Sequence, residues 1–304
     1  MNRPRIGMVG LGGIAQKAYL PILTNEKSWQ FVGAYSPNSI KRKRICQQYR
    51  IEDFSTMSAL IQACDAVFVH SSTESHFEVV STLLQHGKDV YVDKPLAATL
   101  EEAERLVELS DKSGRKLMVG FNRRFAPMYV EAKERKGSLS ALSFEKHREN
   151  GIGPVDYRFT MLDDYIHAVD FIRWFQDDEV TLAYQRLDIN REQHLVYAQH
   201  VFEGKNGATF TISMHRKAGV DLEQLRLLTN GRIIQVQNLQ VMDILEDGKH
   251  TIQTAPSWAT ILHQKGFEAA VEHFIGCIIN DMKPLVDGQE GLKSQILVEK
   301  LFRK

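Results

Sequence analysis

The chain has only three cysteines among 304 residues, Cys46, Cys64 and Cys277, and none stands in a Cys-x-x-Cys pair. So sparse and odd a set argues against a disulfide framework or a cysteine-type zinc site, and it suits a reducing compartment. A charge imbalance is missing as well, because Lys plus Arg and Asp plus Glu each number 38. No global field therefore draws the protein towards nucleic acid or a membrane surface. No apolar run approaches the ~20 residues that a membrane helix needs, and residues 1–6 carry no apolar leader segment. Internal repeats and low-complexity linkers are lacking too. These absences, with 43% hydrophobic and 25% charged residues, predict a globular cytoplasmic protein of one large or two ordinary domains.

What is present falls into two patterns. Over residues 1–122 short apolar strands alternate with amphipathic helices, the signature of a parallel α/β sheet. Strands are expected at 5–9, 30–35, 66–70, 89–92 and 116–119. Helices are expected at 14–24, with Pro21 ending or kinking it, and at 42–49, 76–86 and 100–113, the last stopped by Gly114. From residue 123 to 304 a helix near 127–136 precedes longer alternating segments at 140–147, 181–188, 195–203, 208–215, 224–229, 233–237 and 241–245. Asn230-Gly231 and Asp247-Gly248 between neighbours signal hairpins, hence a large, mostly antiparallel open sheet. Two helices, 266–280 and 289–302, end the chain. The predicted class is α/β, with one domain over residues 1–122 built on a parallel sheet and a second over 123–304 built on a large, mostly antiparallel sheet.

The first chemical signal is Gly10-Leu11-Gly12-Gly13-Ile14-Ala15, between the first strand and its helix. Gly10 permits a tight turn, Gly12 lets the backbone approach a pyrophosphate, and Ala15 allows close helix–strand packing. Helix-terminal N–H groups, with Gly13 and Ile14, then face the phosphates. A site for NAD usually places an acid ~20 residues further on, against the ribose hydroxyls. Here the stretch reads Ala34-Tyr35-Ser36-Pro37-Asn38-Ser39, followed by Lys41-Arg42-Lys43-Arg44. Hydroxyl, amide and cationic groups at Ser36, Asn38 and Lys41 suit a 2′-phosphate, which favours NADP over NAD. The basic run is also readable as a solvated helix face.

Asp93-Lys94-Pro95 follows the strand 89–92 at the sheet edge where open α/β folds bind ligands. Lysine suits proton transfer because burial and a neighbouring positive charge favour its neutral form. Further on, residues 160–175 are strongly apolar and helical, yet Asp163, His167 and Asp170 recur at i, i+4 and i+7. An Asp–His pair one turn apart can orient an imidazole for acid/base work. The same residues admit a structural account, with Thr160 as helix cap and Asp163 closing a near capping box. A metal site is not expected, since the stripe holds one histidine and lacks a fourth ligand.

The glycine loop, Asp93-Lys94-Pro95 and the Asp163/His167 helix, in this order, resemble the glucose–fructose oxidoreductase/inositol dehydrogenase/MocA family over nearly the whole chain. Residues Ser71-Ser72-Thr73-Glu74-Ser75-His76 are similar to the family's Thr-Pro-Asn-x-x-His turn. With Gly120-Phe121-Asn122-Arg123-Arg124-Phe125, the helix most resembles the bacterial MviM-type branch. The resemblance implies a Rossmann domain followed by an α/β domain whose open sheet forms homodimers or homotetramers. It implies hydride transfer between NAD(P) and a carbinol carbon of a sugar or polyol. Lys94 or His167 would relay the hydroxyl proton while the other holds the oxygen, with Asp163 as acidic partner. Ser71, Ser72, His76, Asp93 and Asn122 would line the cofactor side. Asp93 replaces the family's Glu, Thr73 its Asn, and Tyr165 the Gly between Asp and His.

Other readings come from the same residues. A non-catalytic dinucleotide-binding regulator would be expected to lose Lys94, Asp163 and His167, which this chain keeps. Hydride chemistry used internally, in an elimination or hydrolysis, is a third. The loop 150–154 reads as either a mobile cover or an ordinary turn, and Arg158, Lys146 and His215 are candidate substrate contacts from the position of their segments.

Overall fold

A computed structural model describes residues 3–176 and 179–302. Met1 and Asn2, at the start of the segment read for a leader, lie outside them. Packing divides the chain into two units, the first holding residues up to Phe121 with Phe267–Gln295, the second Asn122–Gly266 with the residues from Ile296. A single cut at 122/123 leaves this return of the chain out: helix Phe267–Ile279 packs in the first unit, where Phe274 meets Phe68 and Tyr91 edge-on at 5.5 and 5.7 Å. Among the described residues no helix is long and apolar enough to cross a membrane.

In the first unit, strands β1 (Arg5–Val9), β2 (Gln30–Tyr35), β3 (Ala66–Val69), β4 (Asp89–Val92) and β5 (Leu117–Val119) form one parallel sheet in the order β2-β1-β3-β4-β5. β3, β4 and β5 are buried at every position, as their unbroken Val-rich runs require of a sheet covered on both faces. Chain direction across the sheet reverses between β1 and β3, and the carboxyl ends there form the crevice in which such sheets bind ligands. The helix after β1 has a wide π-turn, Ala15–Tyr19, running into Leu20–Leu23. Pro21 thus sits in the first turn of that second stretch, where its missing N–H costs little. Thr99 and Glu102 close a capping box on the helix Leu100–Ser113. A short helix, Met57–Ala63, capped by Thr56, joins the expected set.

The second unit is built on eight strands: β6 (Leu139–His147), β7 (Val180–Ile189), β8 (Leu195–Gly204), β9 (Thr209–His215), β10 (Leu222–Thr229), β11 (Arg232–Gln237), β12 (Val241–Glu246) and β13 (Lys249–Thr254). Their order is β13-β12-β11-β10-β6-β9-β8-β7, antiparallel throughout except where β6 pairs parallel with β9. β13 escapes the period-2 reading because its side chains are nearly all exposed. One face is covered by the helix Ile166–Phe175, whose Phe171 stacks on Phe144 of β6 at 4.3 Å and meets Tyr129 edge-on at 4.7 Å. The opposite face keeps Leu228, Leu245 and Ile252 exposed.

Tyr165 of the polar-striped segment points into this sheet, its hydroxyl 2.7 Å from His200 Nδ1 and donating to the Ile212 carbonyl at 3.2 Å. The bulk that stands for a glycine in similar proteins is therefore absorbed by the core. His200 is fully buried, and burial pushes its pKa down to about 4. Because the folded value lies below the unfolded 6.5, the unfolded chain takes up the proton first and stability drains as pH falls from 6.5 to about 4. At about 1.36 kcal/mol per pH unit between the two states, the expected loss is of the order of 3 kcal/mol. Urea unfolding across that range should show it, and a His200→Leu variant should lack this component.

Candidate active site

Along the carboxyl edge of the first sheet the strands present, in spatial order, residues 36–38, 10–15, 70–72, 93–94 and 120. Most residues expected on the cofactor side thus share one edge. Gly10 is set by geometry: its φ is +93°, its N–H donates to Tyr35 at 2.9 Å, and a Cβ there would lie 2.5 Å from the His70 backbone. Only glycine lets the loops after β1, β2 and β3 close together here. Around Gly12 the nearest atom to an added Cβ is 3.7 Å away, and around Gly13 there is none within 4 Å. Gly13 and Ile14 are exposed while Ala15 is buried against the sheet. An open glycine backbone at a helix start, with strand ends on either side, fits a dinucleotide.

At the end of β2, Ser36 is buried and Asn38 caps the next helix, its Oδ1 accepting the Lys41 N–H at 2.9 Å. Arg42 turns inward, donating to the Ser36 carbonyl at 2.8 Å and pairing with Asp53. Of the basic run, then, Arg42 is structural, Lys43 and Arg44 are exposed, and Lys41 is half-buried.

The Asp93–Lys94 turn is held from two sides. Asp93 Oδ1 accepts the Lys94 N–H at 2.8 Å, and the next carbonyl, of Pro95, lies 2.9 Å from His76 Nδ1. A carbonyl accepts, so Nδ1 carries the proton, and Nε2 is buried with no hydrogen-bond partner within bonding distance among the described residues. Burial holds the His76 pKa down, although the Pro95 carbonyl and Asp93 act against it. Asp93 Oδ2 lies 3.6 Å from Nδ1 of His70, a buried ring stacked on Tyr19 at 3.8 Å. Burial raises the Asp93 pKa, but His70, then Lys94 and His76, outweigh it and keep the carboxyl ionised. Ser71 Oγ accepts from Ser75 Oγ at 2.8 Å, and the Ser72 carbonyl accepts from the same hydroxyl. Nothing local in the sequence marks His70, since a histidine ending an apolar strand reads as core.

In the second unit the helix begins earlier than expected. Asp156, not Thr160, is the cap, accepting the Phe159 N–H at 2.8 Å, and Thr160 closes the first turn. The capping-box account of Asp163 therefore fails. A π-turn, Met161–Tyr165, follows before the α-helix resumes at Ile166. One inserted residue offsets what precedes it by about 100°. Asp164, in that turn, binds Lys146 at 2.7 Å, Arg148 at 2.8 Å and Arg216 at 2.6 Å. Asp163 is half-buried in the same turn, and His167 is buried on the helix after it. Asp170, the third member of the stripe, is buried in a bidentate pair with Arg124 at 2.8 and 2.7 Å.

Lys146, singled out from its segment alone, is 3% exposed, and burial first, with Asp164 opposing, lowers its pKa to about 8. Arg123 and Glu223 form a second bidentate pair at 3.0 and 2.9 Å. Asn122 packs in this unit, its amide donating to the Lys265 carbonyl at 2.8 Å. Arg158 is exposed and lies over the Tyr157 and Phe302 rings. His215 Nδ1 accepts the Lys217 N–H. The loop 150–154 is fastened at one end, because Gly151 and Arg216 exchange two hydrogen bonds at 2.6 and 2.8 Å. Arg123 and Asp164 lie in motifs that the sequence shows but were given no role there, and Arg148, Arg216 and Glu223 carry no local signal.

Comparison with known proteins agrees with this anatomy. Residues 4–121 match the oxidoreductase family with NAD-binding Rossmann fold, and residues 127–247 match the YceM-like C-terminal domain. YceM of Salmonella typhimurium, whose name describes an oxidoreductase, is 45% identical over 100% of this chain and 98% of its own. A Clostridium difficile dehydrogenase, MviM, known from its crystal structure, superposes with a TM-score of 0.96 at 44% identity, covering 98% of each chain. The scyllo-inositol 2-dehydrogenase (NAD(+)) of Bacillus subtilis is 25% identical over 94% of this chain and 89% of its own.

Proposed function

Because the chain belongs to the glucose–fructose oxidoreductase/inositol dehydrogenase/MocA family of NAD(P)-binding oxidoreductases, we propose that it moves a hydride between NAD(P) and a carbinol carbon of a sugar-like or polyol substrate. The observation that carries this reading is the edge of the first sheet. There a lysine, anchored through Asp93 and beside the His76–Pro95 bond, stands in one row with an open glycine loop. The Bacillus subtilis relative, named for oxidising an inositol, favours a cyclic polyol frame.

When bound, the nicotinamide supplies the carbon that takes or gives the hydride. The protein's own groups do the rest. Backbone N–H groups at Gly12, Gly13 and Ile14 hold the diphosphate, with Gly10 and Ala15 shaping the loop. Ser71 and Ser72, with His76 Nε2 and Asn122, line the cofactor, and Asp93 keeps Lys94 in place. Lys94 moves the proton of the substrate hydroxyl and His167 holds its oxygen, or the two exchange these roles; Asp163 orients neighbouring hydroxyls. The regulator reading has no comparable support, because the residues it would dispense with are all kept.

Ser36, Asn38 and Lys41 hold a 2′-phosphate in this reading, so NADP is preferred to NAD. Fluorescence titration of NADPH and NADH, then a polyol and sugar panel followed by nicotinamide absorbance, tests both statements. The expected result is tighter NADPH binding and turnover of at least one polyol. The reverse order would overturn the reading of Ser36, Asn38 and Lys41. Copies of the chain pair through the uncovered face of the second sheet, where Leu228, Leu245 and Ile252 are exposed, giving a homodimer or homotetramer.

A further inference from the structure

A cleft of about 310 Å³ opens at one end of the second unit's sheet, where β6 ends and β10 begins. Four cationic side chains line it, Arg123, Lys146, Arg148 and Lys265, against two acidic ones, Asp221 and Glu223. The acids near it are already engaged. Glu223 accepts two hydrogen bonds from Arg123 and one from the Tyr129 hydroxyl at 3.1 Å. Asp221 accepts the Glu149 N–H at 3.0 Å. Asp164, adjoining the cleft, serves Lys146, Arg148 and Arg216 at once. Five cations thus face three carboxylates, in surroundings where the Lys146 side chain is only 4% exposed and that of Arg216 14%. Like charges this close, with Lys146 and Arg216 largely screened from water, repel one another unless a further anion joins them. Among the described residues the Lys265 ammonium makes no ion pair or hydrogen bond, and it is half-buried at the same cleft.

We propose that this cleft binds an anionic group, a phosphate or a carboxylate, carried by the substrate's polyhydroxy frame. The inference deepens the reading above and rests on it. Its position supports the assignment, because the cluster that lines the cleft ends on Asp164, the residue next to Asp163 and three before His167. The cofactor's own phosphates do not compete for it, since the reading above assigns them to the glycine loop of the first unit. A phosphate or carboxylate oxygen accepts from ammonium and guanidinium donors in charge-assisted bonds, and Lys265 with Arg148 offers donors beyond those that Asp164 consumes. A neutral polyol would leave the excess of cations uncompensated.

Calorimetric titration of the full-length protein with inorganic phosphate, gluconate and sorbitol separates the possibilities. Phosphate, gluconate or both should bind more tightly than sorbitol, and which of them does names the anion. Lys265→Gln should weaken that binding about tenfold, while Lys249→Gln, on exposed β13, should leave it unchanged. Sorbitol binding as tightly as both anions, or equal weakening by the two variants, overturns the proposal. Binding is read here without turnover. Anion binding by a protein that oxidises no member of the panel would keep the cleft and remove the dehydrogenase reading. Turnover of neutral polyols with no anion binding would do the opposite.

Discussion

Replacing Lys94 with alanine should remove turnover while leaving NADPH affinity within a few-fold. The argument starts from sheet order. Lys94 follows β4, whereas the glycine loop follows β1, and β3 lies between them. The turn that carries Lys94 is held by the Asp93 carboxylate on its own N–H and by His76 on the following carbonyl. Neither hydrogen bond involves the ammonium, so alanine leaves both in place and removes the group proposed to move the proton. Loss of a positioned acid/base group costs typically about 10²–10⁴ in rate. Stopped-flow single turnover with NADPH already bound isolates the chemical step, and an unchanged rate in the variant would refute the assigned role. Lys94→Arg is the informative companion, because it keeps the charge but holds its proton at every accessible pH. It should be as inactive as the alanine variant if proton movement is what Lys94 supplies, and partly active if charge alone suffices.

The largest effect on stability should come from Asp164→Asn. That change keeps shape and volume but leaves Lys146, Arg148 and Arg216 gathered around a neutral amide. Burial alone would raise the Asp164 pKa, yet Lys146 and Arg148 outweigh it and hold the carboxyl far below the usual range. The charge is therefore committed to the cluster at all physiological pH. Removing one partner of a buried ionic network costs roughly 3–5 kcal/mol, because the remaining charges stay desolvated without compensation. Urea denaturation should register a loss of that order, and adding Lys146→Met to Asp164→Asn should recover part of it by removing the most buried cation. A loss below about 1 kcal/mol, the range of exposed ion pairs, would mean that water reaches the cluster and that its electrostatics are those of a surface.

The parts of this protein legible in advance are those that neighbouring residues encode. Strand length, alternation, Gly114 after a capped helix and the position of residues 10–15 between strand and helix are all short-range signals, and each element they imply is present. The glycine loop could be read because its chemistry depends on backbone alone. Where the reading of the helix at 160–175 departed from the structure, a competing signal lay close by in the sequence. Thr160 has the composition of a cap, but Asp156 takes that role and the helix starts a turn earlier. The i, i+4, i+7 stripe assumed an unbroken α-helix, whereas a π-turn, Met161–Tyr165, precedes the α-helix that starts at Ile166.

By itself, then, the order of residues determined two α/β layers of different periodicity, the glycine loop at the first helix, and a lysine at a strand end. These follow from sterics and hydrogen bonding within a few residues. Only the tertiary structure decided which charges meet. Arg123 reaches Glu223 across 100 positions, Arg216 reaches Asp164 across 52, and the segment Phe267–Gln295 rejoins the first unit. Such pairings depend on how the sheet brings distant strands into register, and the strength of an ion pair depends on how much water packing excludes. Neither quantity is a property of any local stretch of chain.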